Sequence, residues 1–94
     1  MSESEAADVC KQWHLSEPIG ETTVQTGEPM ALERYDRPEW YVYIPAENEF
    51  GPLYQQCVVG GTAAEPTFLM VSETSTDDFD QVIEDMRSAD LEGY

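Results

Sequence analysis

The sequence predicts an α+β domain: an antiparallel β-meander of three to five strands, a C-terminal helix packed on one face, and a short N-terminal helix as an option. Three observations lead there. Residues 76–90, TDDFDQVIEDMRSAD, place Phe79, Val82, Ile83 and Met86 on one helical stripe. Two apolar runs, MALERY (30–35) and WYVYIP (40–45), flank a loop rich in turn-forming residues. The chain has 94 residues, which suits one domain with one core of modest size. We read 1–94 as that single domain, with about 1–5 and 92–94 frayed.

Residues 2–15 admit two readings. Ala6, Val9, Cys10 and Trp13 recur at helical spacing, and Ser2 followed by Glu5 makes a capping-box pattern. Val9, Trp13 and Leu15 also fit one face of a strand. The helix is the preferred reading. Residues 16–29 hold two Pro and two Gly and read as loop, with a short edge strand at Thr22–Thr26.

In the hairpin, Met30, Leu32 and Arg34 share one parity, as do Trp40, Val42 and Ile44. If both apolar sets face one side, partner numbers must have an even sum. Arg34 then lies opposite Trp40, Leu32 opposite Val42 and Met30 opposite Ile44. Glu33 faces Tyr41 and Ala31 faces Tyr43 across the other side, around a five-residue loop Tyr35–Glu39. AENEFG (46–51) reads as a polar connection. LYQQCVV (53–59) is a third strand with Leu53, Cys57 and Val59 on its preferred face, and 60–66 is loop. Phe68–Val71 shows no alternation, which suits a central strand covered on both faces. For the last helix, Ser75 or Thr76 can cap, Asp77, Asp78 and Asp80 complement the dipole, and Gly93 stops it.

Charge is the most unusual property. Twenty acidic residues face four basic ones, a formal net charge of −16. Leu, Ile, Val and Phe together make 18 of 94 residues, just under the ~20% line below which high charge signals disorder. Two Trp, five Tyr and four Met restore enough apolar surface for a packed core. The carboxylates are spread along the chain, and Lys11 is the single lysine beside Arg34, Arg37 and Arg87. This low-lysine, high-carboxylate balance resembles that of cytosolic proteins of extremely halophilic archaea. The resemblance is one of composition over the whole chain and carries no functional residues. It implies a surface suited to molar salt, where a Debye length of about 3 Å screens the self-repulsion. K+ and Na+ would act as diffuse counterions.

No apolar run approaches the length of a membrane span, and MSESEAAD lacks the apolar stretch of a secretion signal. The expected location is the cytoplasm. Two cysteines are too few for a disulfide scaffold, so Cys10 and Cys57 read as buried thiols.

Motifs that would carry chemistry are weak. DDFD (77–80) fails as a calcium loop, since counting from Asp78 puts Ile83 and Ala89 where Gly and Glu belong. Cys10, His14 and Cys57 could supply three soft ligands, or a thiol–imidazole pair, but a structural zinc site wants four ligands. No cofactor and no catalytic residue is expected. ERYDRPEWY (33–41) holds two of the four basic residues and three aromatics. We take Tyr35, Arg37, Tyr41 and Tyr43 as the candidate interaction surface, on condition that nothing covers the two strand tyrosines. The plainer reading pairs Arg34 and Arg37 with Glu33, Asp36 or Glu39.

The function these observations favour is a non-enzymatic, salt-adapted interaction module or small adaptor, meeting a protein partner or a second copy of itself. Nucleic acid is disfavoured on charge. One alternative is an acidic mimic of a nucleic-acid backbone that blocks a basic protein. Another is a small metal- or thiol-dependent protein using Cys10, His14 and Cys57.

Overall fold

The computed structural model describes residues 1–16, 22–35 and 37–88. The expected turn residue Asp36, the stop at Gly93 and the fraying of 92–94 lie outside them. The elements are α1 (Glu3–Ser16), β1 (Val24–Gln25), β2 (Met30–Glu33), β3 (Trp40–Asn48), β4 (Gly51–Gly61), β5 (Pro66–Ser75) and α2 (Phe79–Ser88). All strand pairs are antiparallel, in the order β1–β3–β4–β5, and β2 also pairs with β3. The α+β fold is therefore as the sequence predicts, with five strands and both helices.

The capping box forms. The Glu5 amide donates to Ser2 Oγ at 3.2 Å and the Ser2 amide donates to Glu5 Oε1 at 2.8 Å. Hydrogen bonding to the Glu5 carboxylate from the Ser2 amide first, and from the Ser2 side chain, lowers its pKa. The capping-box bonds close the first turn of α1. The stripe then buries Ala6, Cys10 and His14 against the sheet.

The two helices cover opposite faces. On the α1 face, Ala6 and Cys10 pack with Ala31, Val42, Ile44, Cys57 and Val59. On the α2 face, Ile83 and Met86 pack with Tyr41, Val58, Leu32, Leu69 and Met70. This double covering explains two departures from the sequence reading. The first is the hairpin register: Met30 pairs with Tyr43, Ala31 with Val42, Leu32 with Tyr41 and Glu33 with Trp40. It is slipped by one residue from the expected Leu32–Val42 pairing. Alternation selects a register only when one face is apolar, and here both are. Small Ala31 goes under α1 and Leu32 goes under α2.

The second departure is β5, which lies at a sheet edge and not in its centre. A bulge leaves Leu69 without a partner between the pairs Val59–Phe68 and Val58–Met70. Leu69 and Met70 therefore both contact the α2 face, while Phe68 and Val71 contact the α1 face. The bulge removes the alternation that central burial had seemed to explain. At the tight turn after β4, Gly61 takes φ +77°, where a Cβ would meet Glu65 O at 2.7 Å.

A third correction concerns the cysteines. Cys10 of α1 and Cys57 of β4 are disulfide-bonded across the core, with Cα atoms 6.3 Å apart, and are not free thiols. Helix α2 also starts later than expected. Ser75 ends β5, Asp78 adopts φ +51°, and its carbonyl accepts the Gln81 and Val82 amides at 3.0 and 3.2 Å.

Candidate interaction surface

Strand β3 positions Tyr41 and Tyr43 on the α2 face, and α2 covers them. Tyr41 has no exposed surface. Its hydroxyl donates to Gln56 Oε1 at 2.7 Å, the Gln56 amide donates to Ser72 Oγ at 2.9 Å, and the Ser72 hydroxyl reaches Met70 Sδ at 3.2 Å. Burial pushes the Tyr41 phenol well above its ordinary value, so the ring stays neutral inside this chain of donors. Tyr43 is half-buried, edge-on to Phe79 at 5.0 Å and to Tyr54 at 5.5 Å, while Phe79 stacks on Tyr54 at 3.7 Å. These rings are a helix seat. The condition under which Tyr41 and Tyr43 would form an exposed patch is not met.

The β2–β3 loop is equally committed to α2. The Arg34 side chain is 1% exposed; its Nε donates to Met86 O at 2.8 Å and its Nη1 to Glu39 Oε1 at 2.8 Å. Arg87 Nε donates to Glu33 O at 2.7 Å, and the Tyr35 amide donates to Arg87 O at 2.9 Å. The Arg87 guanidinium lies 4.4 Å above the Tyr35 ring, whose hydroxyl bonds the Glu84 carboxylate at 3.0 Å. Two carbonyls from the last turn of α2, otherwise unsatisfied at a helix end, find donors on the hairpin loop. The one-residue slip makes this possible, because it puts Arg34, two residues after Leu32, on the face that α2 covers. Of the four candidate residues, Tyr35 serves this latch and Arg37 is exposed on the loop.

The largest exposed apolar side chain among the described residues is elsewhere. Phe50, at the tip of the β3–β4 hairpin, is 89% exposed. Its amide donates to Asn48 Oδ1 at 2.9 Å, an Asx-type bond that fixes the turn and turns the ring outward. Exposed Pro52 shares a surface cleft with Phe50, whereas Val24, 61% exposed, lies two strands away with Glu47 between it and Pro52. Sequence reasoning passes over Phe50 as part of a polar connection. The available signal is a lone large aromatic in a hairpin turn, where packing gives it no reason to be.

The α1 face carries the other candidate group. His14 is 2% exposed and its Nε2 donates to Gln56 O at 3.1 Å. Burial draws its pKa below the ordinary histidine value, against opposing contributions from the Gln56 hydrogen bond and the Glu73 charge. The disulfide removes both cysteine sulfurs as thiolate ligands or nucleophiles, so Cys10, His14 and Cys57 do not form the metal or thiol site the sequence allowed. No group of three His, Cys, Asp or Glu residues arranged to hold a metal ion occurs among the described residues.

The chain matches no known protein-family model, no curated protein and no solved structure. Among the described residues, no helix is long and apolar enough to cross a membrane.

Proposed function

We propose that this chain is a non-enzymatic interaction module with a salt-adapted surface, and that it grips a protein partner through the β3–β4 hairpin tip. The observation that carries the reading is the Phe50 ring, 89% exposed on a turn held by its own hydrogen bond. Aromatic side chains presented on fixed turns are the usual anchors of interfaces. Pro52 extends the apolar surface beside it. The candidate surface moves from Tyr41 and Tyr43, which serve the fold, to Phe50 and Pro52.

Salt adaptation is part of the same proposal. A net charge of −16 on 94 residues favours a working medium in which that charge is screened. Screening also favours an apolar anchor over a charged one, because apolar burial strengthens with excluded salts while ion pairs fade. A cytoplasmic location belongs to the proposal too. Disulfides persist mainly in oxidising compartments, so the state of Cys10 and Cys57 in the native cell bears on it directly. Differential alkylation of freshly lysed cells reads that state.

The test of the interface uses the tagged full chain as bait in molar KCl, with Phe50→Ser beside wild type. We expect captured protein to fall at least tenfold in the variant while the melting transition stays unchanged. Equal capture by both would sink the hairpin-tip reading.

A further inference from the structure

The two edges of the sheet are finished differently. At one edge β3 is flanked by two short strands, β1 of two residues and β2 of four, and the chain between them holds Gly27 and Pro29. Short, interrupted strands of that kind offer little open backbone for another chain to pair with. The other edge is β5, ten residues long, and among the described residues it pairs only with β4. Its outward N–H and C=O groups are therefore open along the strand. The usual guards of such an edge are missing. β5 has no lysine, its one proline is its first residue, and Glu73 is its single charged side chain, in a chain of which 26% is charged. Every residue from Phe68 to Thr74 is partly buried, the apolar run Phe68–Val71 included. On the α1 side a groove of about 500 Å³, lined in part by Val9, Trp13, Pro66 and Phe68, opens beside the start of this strand.

Open backbone is completed by the open backbone of another strand, and charge selects which one. Two copies of a chain of net charge −16 repel wherever their carboxylates meet, so a contact between them belongs where carboxylates are fewest. A second β5 brings an edge of equal length and equal lack of charge, and two-fold self-complementary contacts are the commonest in homo-oligomers. Three constraints then set the register. A two-fold axis perpendicular to the sheet keeps like faces together, so paired residue numbers in the regular part of the strand have an even sum. The regular part begins after the bulge, where Met70–Ser75 pair with β4 without interruption. A centre at Glu73 would set two carboxylates opposite each other. A centre at Val71 uses Met70–Ser72 only, whereas a centre at Ser72 uses Met70–Thr74, the longest symmetric run left. We propose that the chain forms a two-fold dimer by antiparallel pairing of β5 with β5 of a second copy, Ser72 lying at the axis, Val71 opposite Glu73 and Met70 opposite Thr74. The two five-stranded sheets join into one. This pairing does not rest on the hairpin tip.

The experiment uses the full chain in molar KCl. Sedimentation equilibrium over a dilution series reads its mass, which should be that of two chains at the concentrated end and fall to that of one on dilution. A mixture of isotope-labelled and unlabelled copies then reads the interface, through filtered nuclear Overhauser contacts that arise only between copies. These should join Met70 to Thr74, Val71 to Glu73 and Ser72 to Ser72. Amide exchange gives a third reading. In a lone edge strand alternate amides point to solvent, and in the dimer those outward amides of Met70–Thr74 should slow about tenfold, the worth of one backbone hydrogen bond. The mass of one chain at every concentration would overturn the proposal and leave the edge to a strand of a different protein. A dimer whose contacts between copies lie outside β5, run parallel along it, or centre on a residue other than Ser72 would overturn it as well.

Discussion

The two faces of the sheet are built in opposite ways. On the α1 side the helix presents small residues, Ala6 and Cys10, to Ala31, Val42, Ile44 and Val59, and a disulfide ties it to the sheet. Under α2 the contact residues are large, Tyr41, Tyr43, Leu32 and Met70, and no residue of α2 itself is buried. That helix is held instead by aromatic contacts at its start and by arginine–carbonyl bonds at its end. One helix is fixed by a covalent tie, the other by directed contacts at its two termini. The lesson is that a chain short of aliphatic residues can still fasten two helices by using covalent and polar means where area is lacking. It also locates where each helix can be released.

The largest effect is expected at the end of α2. Replacing Arg34 by Met removes a buried charge from Glu39, whose side chain is 15% exposed, and from the Met86 carbonyl. Breaking a buried pair from one side costs about 3–5 kcal/mol. Chemical denaturation of Arg34→Met in molar KCl should show that loss, and Glu39→Gln on top of it should recover part. A loss below about 1 kcal/mol would mean that the Arg34 bonds are not what holds the end of α2.

Next comes the tie of α1. The bridge closes a loop of 47 residues, and a native disulfide of that kind contributes about 2–4 kcal/mol. The double variant Cys10→Ser, Cys57→Ser should melt earlier by that amount. Amide exchange should rise across α1 and leave α2 at its wild-type rate. Equal acceleration in both helices would show that the two faces are not separate units.

Much of this fold was legible in the residues. The α2 stripe, the Ser2–Glu5 capping box and the three main strands each follow from local periodicity. What escaped depends on contacts distant in sequence. Whether Leu32 pairs with Val42 or Tyr41 rests on which helix covers which face, and Arg34 settles it by reaching 52 residues along the chain to Met86. The spacing of Cys10 and Cys57 is silent on whether they meet. The candidate site was half legible. Tyr41 and Tyr43 stood out as aromatic, but only the packing of Phe79 shows that they are already used. Phe50 was hidden by its polar neighbours, although a hairpin turn is where an outward aromatic is easiest to display.

The smallest effect is a pH dependence belonging to the α1 face alone. His14 is buried and neutral there, with a folded-state pKa below the unfolded one because burial disfavours the imidazolium. Below about pH 6.5 the unfolded chain therefore binds a proton that the folded chain resists. Stability contributed by neutral His14 is complete above that pH and falls as the solution is acidified toward the folded pKa, with a slope of at most about 1.4 kcal/mol per pH unit. Carboxylate protonation relieves the net charge on further acidification and works in the other direction, so the window lies between about pH 6.5 and 5. Urea midpoints across that window should drop for wild type and stay flat for His14→Gln. Because Glu73 opposes the burial effect, Glu73→Gln should steepen the wild-type slope. If the wild-type midpoints were flat as well, the α1 face would tolerate the imidazolium, and its hold on the helix would be a property of the disulfide and not of the packing around His14.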